Sequence, residues 1–153
     1  MAKIKIFKVG RFKTNCYLVS NDEENHFFLV DPGGKIKNFD ISSYKIDYIL
    51  LTHGHFDHIS NAAEYKELTG AKIVISKAEE DFINDGSLNL SSRFMKAHKL
   101  KSFEPDILCS EGDEIPFAGG AIKVLSTPGH TKGGVCYIFE NNIFSGDTLF
   151  KGT

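Results

Sequence analysis

The sequence lacks any run of 18 consecutive apolar residues, so nothing in it reads as a membrane span. Its opening, Met1-Ala2-Lys3-Ile4-Lys5-Ile6-Phe7, is charged at once and alternates, so it lacks the apolar core of a signal peptide. It lacks an excess of positive charge: 18 Lys plus Arg stand against 20 Asp plus Glu, for a formal net charge of −2. That balance argues against a protein that lives on nucleic acid or on anionic lipid, since both reward a basic face. It also lacks a Cys-x-x-Cys pair. Cys16, Cys109 and Cys136 are odd in number and far apart, which fits buried free thiols in a reducing cytoplasm better than a disulfide framework. Internal repeats, low-complexity tracts and linkers are missing too. What is present is an ordinary globular composition, 41% hydrophobic and 25% charged, which excludes disordered, collagen-like and coiled-coil chains. The 153 residues suit one domain spanning 1–153.

The first thirty residues read as an antiparallel meander. Ile4 to Val9, Cys16 to Val19 and Phe27 to Val30 are short apolar or alternating runs separated by turn residues. Asp31-Pro32-Gly33-Gly34 stops the third strand, because proline cannot continue a ladder and the glycines permit positive φ. Ile46 to Leu51 alternates little and predicts a strand buried on both faces. A short helix follows over Asn61 to Leu68, with Ala62, Ala63, Tyr65 and Leu68 for packing and Gly70 as its stop. Ile73 to Ile75 is a further strand, and Ala78 to Asp85 reads as helical, closed by Gly86. This succession is that of an α/β layer. Ser87 to Asp106 reads as an irregular or partly helical excursion, with the charged block Lys96 to Lys101 as solvated surface. Strands resume at Ile107-Leu108, Ala121 to Leu125, Val135 to Phe139 and Ile143 to Ser145.

Chemistry concentrates in His53-Gly54-His55-Phe56-Asp57-His58. After a buried strand the chain is still nearly extended, so His53 and His55 project to one side, where two imidazoles can meet at one tetrahedral zinc. Gly54 leaves that approach unobstructed. Asp57 and His58 fall where a helix begins, and the turn there directs both toward a neighbouring point, so one metal site becomes two. Asp57 is equally compatible with a helix N-cap. His130, in Thr127-Pro128-Gly129-His130-Thr131, and Asp147, after Ser145-Gly146, are turn residues when taken singly. Placed between two cations, Asp147 can bridge them, and such a pair can hold a hydroxide at neutral pH. His26 and His98 have no partner motif and read as surface residues.

These motifs together resemble the metallo-β-lactamase superfamily. The match runs through Asp31-Pro32-Gly33-Gly34, Thr52 to His58, Thr127 to Thr131 and Ser145-Gly146-Asp147-Thr148-Leu149-Phe150. Thr14-Asn15-Cys16-Tyr17-Leu18-Val19 and the Gly-Asp-Thr-Leu-Phe segment are most similar to the glyoxalase II-like (hydroxyacylglutathione hydrolase-like) branch. The resemblance implies an α/β fold, an αββα sandwich with metals at one edge of two facing sheets. It implies that His53, His55 and His130 hold a first metal, that Asp57 and His58 hold a second, that Asp147 bridges, and that Asp57 belongs to the catalytic centre. Zinc is the expected ion, with iron or manganese permitted by the same donors. The implied reaction is hydrolysis of a small-molecule thioester or related acyl bond. Nucleic acid and membrane are not expected partners.

The resemblance also implies further strands, helices and a later histidine beyond Phe150. Without them the second metal keeps only Asp57, His58 and Asp147, and the expectation is a C-terminally incomplete sandwich that either self-associates through uncovered sheet surface or folds marginally. Two other readings share these residues. One is a mono-iron, persulfide dioxygenase-like oxidoreductase using His53, His130 and Asp147. The other is a non-catalytic metal-binding fragment. Flavo-diiron proteins are disfavoured because Phe56 stands where that branch needs an acid, and RNase Z-like nucleases because no RNA-binding surface is evident.

Overall fold

The computed structural model describes residues 1–95 and 100–152. Among these described residues ten strands form two sheets. Strands β1 (Lys3–Val9), β2 (Thr14–Ser20), β3 (Phe27–Val30), β4 (Ile46–Leu50), β5 (Lys72–Ser76) and β6 (Ile107–Cys109) form the first, in that spatial order. The pairs β1–β2 and β2–β3 are antiparallel, as the meander predicts, whereas β3, β4, β5 and β6 run parallel. Strands β7 (Glu114–Phe117), β8 (Gly120–Ser126), β9 (Val135–Phe139) and β10 (Asn142–Phe144) form an antiparallel second sheet in the order β10-β9-β8-β7. β7 escapes a reading of the sequence because Pro116 interrupts it. Its place at the sheet edge explains why that proline is tolerated.

The sheets face each other across a core in which Phe28 is edge-on to Phe117, Phe139 and Phe144, with centroids 5.0, 5.5 and 5.7 Å away. Burying side chains of this size stabilises the fold by roughly 1.5–3 kcal/mol each. Tyr137 is fully buried in this layer, and its hydroxyl donates to the Leu51 carbonyl at 2.9 Å. That bond, with Val135 N–H to Thr52 O at 2.9 Å, ties β9 of one sheet to the chain leaving β4 of the other.

The opposite face of the six-stranded sheet is covered by helices. α1 (Phe56–Ile59) and α2 (Ala62–Thr69) bury Ile59, Ala62, Ala63 and Tyr65 beside Ile49, Leu51 and Ile73. Gly70 ends α2 in the left-handed conformation, φ +73°. Leu68 is 52% exposed, so it takes no part in the packing expected of it. The predicted helix over Ala78 to Asp85 is a 3-10 helix, Lys77–Phe82, followed by turns. Among the described residues of the excursion after Gly86 lies one short helix, α3 (Ser91–Phe94). Most of the Lys96 to Lys101 block, and His98 with it, lies outside the described residues. On the outer face of the four-stranded sheet, Leu125 and Ile143 are 38% and 52% exposed. The architecture is thus the expected α/β sandwich, with helices packed on the six-stranded side. Among the described residues no helix is long and apolar enough to cross a membrane. All three cysteines are buried and free.

Candidate metal centre

The segments that follow β4, β8 and β10 bring the six predicted residues to one edge of the sandwich, where β3 adds Asp31. The parallel strands β3 and β4 end there in Asp31 and Thr52-His53. The chain after β8 brings His130, and the chain after β10 brings Asp147. His53 and His55 do meet, though not by extended alternation. The chain bends after Leu51, and His55 is the N-cap of α1, with φ −67° and ψ 143°. Asp57 is therefore not the cap. It lies in the first turn, where its Oδ2 accepts from Thr14 Oγ1 at 3.1 Å.

Two groups of donors result. His55 Nδ1 lies 3.1 Å from His53 Nε2 and 3.0 Å from His130 Nε2. Four ligands around a tetrahedral zinc at 2.0–2.1 Å stand about 3.3 Å apart, so this spacing is close to what an ion requires. The second group is His53, His58 and Asp147, whose donor atoms lie within 4.8 Å of one another. Asp147 faces both ways: Oδ1 is 3.2 Å from His58 Nε2 and Oδ2 is 3.3 Å from His130 Nε2. Asp57 falls in neither group, but its Oδ2 is 3.6 Å from His58 Nε2, at the rim of the second. His26 stands apart, half-buried, with Nδ1 2.6 Å from Asp47 Oδ2, so it is a paired residue rather than a free surface one.

The electrostatics suit cations. Burial, reinforced by the charges of His58 and His55, pushes His53 down to about 2, so its ring is neutral at pH 7 and free to donate a lone pair. Burial and then His130 lower His55 in the same sense. Burial would lower His58 as well, but the charge of Asp31 and the hydrogen bonds that the ring donates to Asp147 and Asp31 outweigh it and raise the ring to about 10. Burial works against the Asp147 carboxylate, yet His58 keeps it below the usual range. Without an ion the edge therefore gathers its positive charge on His58, among Asp31, Asp57 and Asp147.

Two residues that sequence reasoning passed over as site residues hold this edge in place. Asp31 is buried, and its Oδ2 faces His58 Nδ1 at 2.8 Å while it accepts from Thr52 N–H at 2.8 Å and Thr52 Oγ1 at 2.7 Å. That fixes the His58 ring so that Nε2 points to Asp147. The positive φ of the Asp-Pro-Gly-Gly turn is at Asp31 itself, +50°, not at its glycines. Gly33 serves close approach instead, since a Cβ there would lie 1.4 Å from the Asp57 carbonyl oxygen. Gly146 combines both demands, with φ +48° and a Cβ position 2.2 Å from Thr52 Oγ1, which sets Asp147 over His53 and His58. The second such residue is Glu79, fully buried and bonded to both histidine loops. Both signals were local in the sequence, a turn acid and a helix acid, with nothing to reveal their distant partners.

A cavity of about 400 Å³ opens beside the second group. Its lining includes Asp57, His58 and Asp147, the apolar or aromatic Phe12, Tyr17 and Leu149, and the basic Lys8, Lys13 and Lys151.

The chain matches the metallo-beta-lactamase superfamily over residues 9–153, and it belongs to that superfamily. It is 33% identical to hydroxyacylglutathione hydrolase GloC of Haemophilus influenzae, over 97% of this chain and 73% of that protein. It is 30% identical to the probable polyketide biosynthesis zinc-dependent hydrolase BaeB of Bacillus velezensis, over 88% of this chain and 55% of that one. Among solved structures it resembles the BLEG-1 B3 metallo-beta-lactamase, with TM-score 0.84 and 28% identity over 97% of this chain and 74% of that one. It also resembles TTHA1623 in a di-iron-bound form, with TM-score 0.80 and 27% identity over the same shares. That superfamily includes metallo-hydrolases, and the histidine cluster is a group of residues that could hold a metal ion.

Proposed function

We propose that the chain carries a two-metal hydrolytic centre that cleaves a small-molecule thioester or related acyl bond. The observation behind this is Asp147, whose two oxygens face one histidine cluster each. His53, His55 and His130 would hold the first ion; His58 and Asp147, with Asp57 at their rim, the second. Bound there, divalent ions supply a nucleophilic hydroxide at neutral pH and polarise the acyl carbonyl. The protein's own part is to place and orient. Asp31 holds His58 by Nδ1, so that Nε2 is presented. Thr14 holds the Asp57 carboxylate in the cavity lining, where it would orient a proton of the attacking group. Phe12, Tyr17 and Leu149 suit an apolar acyl or thiol portion, and Lys8, Lys13 and Lys151 suit an anionic group carried with it. The Haemophilus influenzae relative's name indicates a probe of that chemistry, a hydroxyacyl-glutathione thioester.

The test combines metal content with turnover. Protein purified without added metal should carry about two zinc, iron or manganese ions per chain. Thiol release from the thioester should exceed that of His55→Ala by about 100-fold or more. One iron per chain with thiol-dependent oxygen uptake would instead establish the mono-iron reading. Bound metal without thioester cleavage above the His55→Ala control would establish the non-catalytic one.

A further inference from the structure

The 3-10 helix Lys77–Phe82 contributes no ligand, yet it carries a carboxylate with no exposure to solvent. Glu79 is 0% exposed, and among the described residues no Lys or Arg pairs with it. Its Oε2 accepts from the Gly54 N–H at 2.9 Å and its Oε1 from the Gly133 N–H at 2.7 Å. Gly54 lies between His53 and His55, and Gly133 three residues beyond His130. One buried side chain thus spans the two loops, some 80 residues apart, that carry the first donor group.

Packing supports the same connection. A Cβ on Gly54 would lie 2.2 Å from Phe82 Cβ, and one on Gly133 would lie 2.6 Å from Ala78 Cβ and 3.0 Å from Glu79 Cγ. Both loops press against the same short helix at positions where only glycine lets the backbone N–H reach the carboxylate. The helix is itself anchored. Asn89 Nδ2 donates to Phe82 O at 2.8 Å, and Asn89 O accepts from Phe56 N–H at 2.8 Å, which joins it to the start of α1. A buried carboxylate satisfied only by N–H groups is costly unless positive charge lies near, and a cation among His53, His55 and His130 would supply it.

We propose that Glu79 is a positioning residue: it clamps the His53/His55 loop to the His130 loop and thereby sets the affinity of the first donor group for its ion. This rests on the reading that an ion binds there. Glu79→Gln is the probe. It keeps the volume and one acceptor oxygen but turns the other oxygen into an NH2 donor facing a backbone N–H. Zinc affinity, measured by competition with a chromogenic chelator, should weaken about 10- to 100-fold, as when other groups that orient metal ligands are removed. Glu80→Gln, the same charge change on the exposed neighbour, should leave affinity unchanged.

A folded Glu79→Gln protein that melts lower but binds zinc as the parent does overturns the proposal. Equal weakening in Glu80→Gln overturns it too, because the effect would then be one of field rather than of position. Should Glu79→Gln fail to fold, amide hydrogen exchange on the unmodified chain decides. The Gly54 and Gly133 amides should both exchange slowly in the metal-free as well as the zinc-loaded protein. Fast exchange of either without metal would show that the ion, not Glu79, holds the loops. Failure of the underlying metal reading looks different: the unmodified chain would take up no zinc while both amides stayed protected.

Discussion

Gly33→Ala is the sharpest test of how the Asp31 turn supports the site. The new Cβ would sit 1.4 Å from Asp57 O, 2.2 Å from Asp57 C and 2.9 Å from His58 N. Carbon atoms of this kind essentially never come within 3.0 Å, so the turn and α1 must part by about 1.6 Å. All three obstacles are backbone, and no rotamer change relieves them. Overpacking of a core typically costs 1–3 kcal/mol, so a cost of about 3 kcal/mol or more is expected here. At about 2–4 °C per kcal/mol for a chain of this size, that is a fall in Tm of about 6–12 °C. The same displacement separates His58 from Asp31 and Asp147, and misplacing reacting groups by about 1 Å costs about 100-fold in rate. Calorimetry, zinc stoichiometry and thioester turnover on one preparation would check all three effects. Gly129→Ala is the matched control: beside His130, its Cβ would meet nothing within 4 Å, and stability should stay within about 0.5 kcal/mol. A Gly33→Ala protein that melts within 2 °C of the parent and binds the same number of ions would refute the reasoning.

Asp31→Asn should keep the turn, since asparagine tolerates the positive φ, but it replaces one acceptor oxygen by a donor at His58 and Thr52. Second-site zinc affinity should fall about 10- to 100-fold in a chelator titration, with the first site spared. Tyr137→Phe leaves the Leu51 carbonyl without its hydroxyl donor and should cost roughly 1–2 kcal/mol in denaturant unfolding, without change in metal content. Leu125 and Ile143, exposed on the outer face of the four-stranded sheet, should make sedimentation concentration-dependent, and Ile143→Lys on the edge strand β10 should reverse it. A single monomer boundary for the parent at every concentration would exclude association through that face.

The parts of the fold that could be read along the chain are those with local causes. The meander from Lys3 to Val30 shows in the alternation of lysines with Ile4, Ile6 and Phe7, and α2 shows in Asn61 before it and Gly70 after it. β7 was hidden because its pairing partner, β8, outweighs the local signal of Pro116. The strand read at Ile143 is there, but β10 is an edge whose outer side chain faces solvent. Neighbours in sequence betray neither fact. At the site, the six donors carried chemistry in their residue type and spacing, and the structure gathers five of them into two groups with Asp57 beside them. Asp31 and Glu79 could not be found that way. Each works by holding backbone or ring atoms at least 21 residues distant, and an acid in a turn or a short helix looks the same with or without such partners.

The donors are strung from His53 to Asp147, which has a bearing on how the protein is made. On the ribosome, His53, His55 and His58 emerge long before His130, and Asp147 later still. Until then, a nascent chain offers an ion only a partial cradle. On the two-metal reading proposed above, metal capture would be a closing event that follows the pairing of distant strands rather than a seed for it. Scarcity of the ion in a cell should then yield folded, empty protein awaiting its cargo rather than misassembled chains.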